Sequence, residues 1–401
     1  MNSLCTYANL SDICQFINGD RGKNYPSGED FVQFGVPFIN AGHIGDNKIN
    51  FENMNYITEE KYEILGSGKI EKNDILYCLR GSLGKNAMVY IEKGAIASSL
   101  VILRGQKGLV DSNYLLRYLN SPRIEAQINR ANNGSSQPNL SAKSVKEFKV
   151  FLPTINVQIK IAKVLDKAQE LIDKRKEQIQ ALDELIKSQF MEMFGDPFND
   201  EKGYGTNKLG EVTEINPKKS EIKELDKELI VSFVPMDRVG EKGEFNPEVF
   251  KRISEVYSGF TYFKDNDVLF AKITPCMENG KGAIAKNLSN AIGFGSTEFH
   301  VLRPIKKKSN KYWIYNLTTL IEFRRLAERK MTGSAGQKRV STEFLNNIEI
   351  VIPPIELQNQ FADFVKQVDR LKVKMEKSLK ELEDNFNSLM QRAFNGELFS
   401  E

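Results

Sequence analysis

The chain has 401 residues, 40% hydrophobic and 27% charged, and its 56 basic and 53 acidic residues leave a formal net charge of +3. That apolar share is enough for sizeable cores; no stretch approaches the ~18 uninterrupted apolar residues of a membrane span, and MNSLCTYANLSD lacks the basic and apolar regions of a signal peptide, so a soluble cytoplasmic protein is expected. The near-neutral balance carries no global signature of nucleic-acid binding, and charge must be judged locally.

Val36-Pro-Phe-Ile39, Asp74-Ile-Leu-Tyr-Cys-Leu79 and Ala97-Ser-Ser-Leu-Val-Ile-Leu103, separated by Gly, Asn and Asp, predict strands and turns. A helical pattern follows over Tyr114–Asn129. After Pro153 a long helix is expected, with Thr154 as its cap and its end near Phe194; Leu165, Ile172, Ile179, Ile186 and Met193 recur every seven residues along it. The second half repeats the order. Leu229-Ile-Val-Ser-Phe-Val234, Asp267-Val-Leu-Phe-Ala-Lys272 and Glu298-Phe-His-Val-Leu302 read as strands, and Lys311–Lys330 as helical. A second long helix carries Phe361, Val368, Met375, Leu382 and Leu389 at the same spacing. Lys174-Arg-Lys-Glu177 and Lys372-Val-Lys-Met-Glu-Lys377, between the apolar seams, read as solvated helix faces.

One passage occurs twice. GSSQPNLSAKSVKEFKVFLPTINVQ (134–158) recurs as SAGQKRVSTEFLNNIEIVIPPIELQ (334–358), with Gln137 facing Gln337, Ser141 facing Ser341, Pro153 facing Pro353 and Gln158 facing Gln358. The register carries on to Phe194-Gly-Asp-Pro-Phe198 opposite Phe394-Asn-Gly-Glu-Leu398. Halves this long predict two similar domains related by an approximate two-fold, since solenoid repeats are only ~20–50 residues. The expected fold class is α+β, with similar mixed α/β domains at 1–150 and 199–350. Two long antiparallel coiled-coil helices, at 151–198 and 351–401, separate them. A helix of about 40 residues would be ~60 Å long, and packing the pair together would fix the distance between the domains. Such a ruler suits B-DNA, whose turn spans ~34–36 Å.

Catalytic chemistry finds little support. Cys5, Cys14, Cys78 and Cys276 form no CxxC pair and have no counterparts between the halves, which predicts buried reduced thiols and neither a disulfide framework nor a zinc site. His43 and His300, the two histidines, have no metal-like or triad-like neighbours. Asn216-Pro-Lys-Lys219 and Asp196-Pro-Phe198 lack the second proline of the element that holds the target amine in adenine methyltransferases. Gly81-Ser-Leu-Gly84-Lys85-Asn86 lacks the spacing and hydroxyl of a phosphate loop, and Glu147-Phe-Lys149 and Glu221-Ile-Lys223 lack the paired aspartate of a nuclease. No catalytic, cofactor-binding or metal-binding residues are expected.

Several features lie in the same order in both halves. They are the DIL-type strand with its glycine-and-lysine loop (Arg80-Gly-Ser-Leu-Gly-Lys85; Lys272-Ile-Thr-Pro-Cys-Met-Glu-Asn-Gly-Lys281), the GSSQPNLS and GSAGQKRVS blocks, and the LP…Q and IPP…Q helix openings. In these the chain resembles, over essentially its whole length, the specificity subunits of type I restriction-modification systems. The resemblance implies two target-recognition domains, each reading one half of a split double-stranded DNA site. Spacer helices would dock two modification subunits, adenine methyltransferases that bring S-adenosylmethionine; a translocating nuclease subunit can join. The subunit itself would be non-catalytic and hold no cofactor.

On that reading, DNA contact falls to loops where basic or amide side chains sit among glycines. The candidates are Arg21, Lys23, Arg80, Lys85, Gln137 and Asn139 in the first domain, and Lys218, Lys219, Lys272, Lys281, Gln337, Lys338 and Arg339 in the second. The docking candidates are Leu165, Ile172, Ile179, Ile186, Val368, Met375, Leu382 and Leu389. The loops after the DIL strands differ while the junctions align without gaps, which predicts two different half-sites. The alternative from another class is a coiled-coil scaffold with two protein-binding domains and no DNA.

Overall fold

A computed structural model of the chain describes residues 6–45, 47–131, 140–334 and 336–399. It divides into two compact units, Met1–Lys176 with Lys377–Glu401, and Glu177–Glu376.

The first unit is built on an antiparallel sheet with strand order Cys14–Asn18, Leu100–Gly105, Ile75–Cys78, Asn86–Met88. Its central strands are apolar over Ile75–Cys78 and Leu100–Leu103 because both faces are covered there. Alternate residues of a strand point to opposite faces, so Ile75, Tyr77, Val101 and Leu103 enter the core shared with the helices. Leu76, Cys78, Leu100 and Ile102 enter a second core on the other side. A second sheet, in which Ala95–Ile96 runs parallel to Val36–Ile39, closes that side with Asn55–Ile57 and Phe31–Val32. Thr6–Asn9 pairs with Lys149–Leu152.

The second unit repeats the plan. Thr213–Ile215, Phe299–Pro304, Val268–Ala271 and Gly282–Ile284 form its antiparallel sheet. Val268 and Phe270 face one core while Leu269 and Ala271 face another. Ile230–Val234 lies parallel to Ile292–Gly295 in the companion sheet, and Thr206–Lys208 pairs with Glu349–Val351.

The helical patterns expected at Tyr114–Asn129 and Lys311–Lys330 are each two helices. Ser112–Leu119 is followed by Pro122–Ala131, and Lys311–Thr319 by Ile321–Arg329. Proline fits a first helical turn but not an interior, which sets the first break. At the second, Leu320 takes an extended backbone (φ −64°, ψ 138°) that ends one helix and opens the next.

Both long helices run unbroken for 40 residues, Ile155–Phe194 and Ile355–Phe394, and each contributes one end to each unit. In the first unit Val157, Ile161 and Leu165 share a core with Met390, Ala393 and Phe394, and Lys176 meets Glu383 at 3.2 Å. Ascending numbers thus meet descending ones, so the helix ends are antiparallel there. In the second unit Phe361 packs edge-on against Phe190 and Phe194, with centroids 5.5 and 5.3 Å apart, and Lys372 pairs with Asp183 at 2.7 Å.

Two expectations need correction. Leu165, Ile172 and Val368 are buried by the chain's own packing, so they are not available to dock a partner. Ile179, Ile186, Met375, Leu382 and Leu389 are half-buried, whereas Ile159, Leu171, Leu185, Met191, Leu371 and Val373 are the exposed large apolar residues of these helices among the described residues. Cys14 and Cys78 are buried free thiols, pushed up to about 12 and about 11 by burial, but Cys276 is half-exposed. Cys5 lies outside the described residues.

Candidate nucleic-acid interface

The buried strands Ile75–Cys78 and Val268–Ala271 each deliver a loop at the same point. Cys78 N donates to Lys85 O at 2.8 Å, and Ala271 N to Lys281 O at 3.1 Å, which makes Lys85 and Lys281 equivalent closing residues. A left-handed glycine precedes each, Gly84 at φ 80° and Gly280 at φ 91°. Residues 80–84 form the first loop tip and residues 273–280 the longer second one.

The duplicated block meets these loops in both units. Leu140 N donates to Leu79 O at 2.9 Å, and Val340 N to Lys272 O at 2.9 Å. A further bond, Thr274 N to Lys338 O at 3.1 Å, and a bridge between Ile273 and Arg339 bring Lys272, Lys338 and Arg339 together. Ser141 and Ser341 then cap the short helices that follow, accepting from Ser144 N and Phe344 N. Gln137 and Asn139 lie outside the described residues.

The cations of the two units are held differently. Arg80 and Lys85 are exposed on the first loop, and Arg21 and Lys23 are exposed at a separate turn. Asp20, beside Arg21, has its carboxyl lowered chiefly by the amide of Gly66. In the second unit, Arg339 forms a fork on Glu298, with Nη2 at 2.7 Å and Nε at 2.9 Å. That pairing holds the Glu298 carboxyl below its usual range. Lys272, half-buried beside the same carboxylate, is lowered by burial. Lys281 Nζ reaches Met236 O at 3.3 Å, while Gln337, Lys338 and Lys218 are exposed. Lys219 is turned inward instead: its Nζ donates to Tyr257 O at 2.9 Å, and burial lowers it.

Three supporting arrangements escaped the sequence reading. Arg104 forks onto Asp74 at 2.8 Å through both Nε and Nη2, and Arg303 onto Asp267 at 2.8 and 2.7 Å, tying the strand that delivers each loop to its neighbour. Gln158 and Gln358 are buried clasps. Each accepts from the backbone of a helix cap, Asp111 N or Asn310 N, at 2.9 Å, and donates to Pro153 O or Pro353 O at 2.8 Å. His300, buried and lowered chiefly by burial, donates through Nε2 to Val340 O at 2.8 Å and accepts at Nδ1 from Asn216 at 3.0 Å. The repeated aspartate and glutamine were visible signals for the first two, but their partners lie about thirty to fifty residues away in sequence.

Residues 3–183 and 201–384 match the model of the type I restriction modification DNA specificity domain, and the chain belongs to that family. It is 41% identical over 160 residues to the type I restriction enzyme EcoEI specificity subunit of Escherichia coli and 39% identical over 181 residues to the EcoAI specificity subunit of the same organism. These matches span 39% and 44% of this chain but only 26% and 30% of those relatives. A putative MjaX specificity subunit from Methanocaldococcus jannaschii is 23% identical, with 97% of this chain and 92% of the relative covered. Among solved structures, a chain described under complex assembly and conformational transition of the type I R-M system aligns with TM-score 0.63 at 16% identity over 98% of both chains. The S subunit of a type I system from M. genitalium aligns with TM-score 0.51 at 14% identity over 98% of this chain and 97% of that one. Among the described residues, no helix is long and apolar enough to cross a membrane.

Proposed function

We propose that this chain is the DNA-reading subunit of a cytoplasmic type I restriction-modification complex, each unit reading one half of a split, asymmetric double-stranded site. The observation that carries the proposal is the pair of equivalent loops. Strands of one design present residues 80–85 and 272–281, yet the two loops differ in length, charge pairing and side chains. Exposed Lys and Arg supply phosphate contacts, and base edges are read by the side chains that differ.

The long helices dock two adenine methyltransferase subunits through exposed residues such as Leu171, Leu185, Leu371 and Val373, and their length governs the spacer between half-sites. Methyl transfer, with its S-adenosylmethionine, belongs to those partners; this chain selects where it happens. A translocating nuclease subunit joins when cleavage is added. Mapping methylated adenines in a strain with and without the chain tests the proposal. Loss of one split, asymmetric motif is expected on deletion. An unchanged methylation map in a strain expressing the chain and its methyltransferases would overturn it in favour of a protein-binding scaffold.

A further inference from the structure

The two loops differ in what covers their last glycine. A Cβ added to Gly84 would lie 2.5 Å from Cδ1 of Ile128, and one added to Gly280 would lie 1.9 Å from Nη1 of Arg324. Ile128 stands on Pro122–Ala131 and Arg324 on Ile321–Arg329, the corresponding helices of the two units. The helix residue against the glycine is therefore aliphatic in one unit and a guanidinium in the other.

Arg324 is also bonded to the loop. Its Nη2 donates to Gly280 O at 3.2 Å while its Nε donates to Thr318 O at 3.1 Å, so one planar group joins the loop to the turn between two helices. Among the described residues its hydrogen-bond partners are these two carbonyls and no carboxylate, although the group is half-buried. Burial opposes its charge, with Tyr315 and Glu241 acting the other way. A half-buried cation without a paired carboxylate is an expensive way to stabilise a fold. It suits a loop end that approaches a polyanion, and its hydrogen bonds set direction.

We propose that Arg324 is a positioning residue for the second recognition loop: by holding the Gly280 carbonyl it sets how residues 273–281 meet the second half-site. In the first unit the Gly84 carbonyl is held instead by Asn86 Nδ2 at 2.8 Å, with Ile128 packed on the glycine. The inference rests on the DNA-reading function above and assigns its second-half specificity to a residue outside the loop.

The test uses the whole methyltransferase complex carrying Arg324→Met, which retains the stem and removes the donors. Methylation of sites with one substitution in the second half-site is expected to rise roughly tenfold relative to the correct site, the scale of a lost base contact. Discrimination in the first half-site should stay as it was. Arg324→Lys keeps the charge but loses the planar fork, so it should relax the second half-site equally; full rescue by lysine would overturn positioning in favour of simple charge. Arg324→Gln, which keeps a planar donor on a shorter stem that no longer spans both carbonyls, supplies a second route if the methionine variant folds poorly, and it too should relax the second half-site alone. Equal relaxation of both half-sites would overturn the assignment. A wild-type complex that reads no split motif would instead overturn the DNA-reading function itself.

Discussion

The duplicated blocks and the loops that follow the central strands stand side by side in each unit, yet they are built on opposite terms. In the blocks, identical residues do identical work. Gln158 and Gln358 clasp helix caps, and Ser141 and Ser341 cap equivalent helices. In the loops, equivalent positions do different work. Leu79 corresponds to Lys272, and Ile128 faces one glycine where Arg324 faces the other. Internal repetition in this chain marks scaffold, and divergence marks the loops proposed to read DNA.

That comparison can be broken most forcefully at the buried forks. Asp74→Ala or Asp267→Ala removes the buried carboxylate of each fork and leaves its arginine only the outer Glu71 or Glu221, and each should destabilise its own unit by about 2–4 kcal/mol in urea unfolding. Strongly unequal losses would show that the two scaffolds are not energetically equivalent. Gln158→Ala and Gln358→Ala remove the acceptor for Asp111 N and Asn310 N, and matched losses of about 1–3 kcal/mol are expected. A large effect on DNA affinity with intact stability would move these glutamines from scaffold to recognition.

The smallest effect should distinguish the units. His300 sits where the first unit has Val101: Phe270 pairs with one and Tyr77 with the other. Its folded pKa lies below the ordinary 6.5, so the unfolded chain takes up the proton first as pH falls. Stability of the second unit should therefore be fully present above about 6.5 and decline as pH falls toward the folded pKa. His300→Gln should remove that dependence, whereas the first unit should show no such histidine step from this position. A pH profile unchanged by the substitution would place the titration elsewhere.

Much of this architecture was legible from residues alone. Asp74-Ile-Leu-Tyr and Asp267-Val-Leu-Phe announced the two central strands because both sheet faces are buried, and the heptads announced both long helices. The breaks at Pro122 and Leu320 were missed because apolar periodicity continues across them. Seam periodicity also identifies an apolar stripe without saying what covers it, which is why Leu165, Ile172 and Val368 stand among the docking candidates although the chain buries them itself. At the candidate interface, sequence placed a loop after each central strand but not the charge pairing within it. Nothing local distinguishes Arg80, left exposed, from Arg339, engaged with a glutamate forty-one residues away.

The core placement of Phe394 has a consequence for biosynthesis. Its ring lies 4.7 Å from that of Tyr118 and 5.8 Å from that of Tyr114, inside a core otherwise drawn mostly from the first 165 residues. Ribosomes release polypeptide in order, and domains generally fold as units as they emerge. The unit numbered first cannot complete its core until residues 377–399 have emerged, whereas Glu177–Glu376 is one continuous stretch and is available sooner. Vectorial synthesis thus inverts the numbering: the middle of the chain matures first, and the amino-terminal half waits for the last helix to come home.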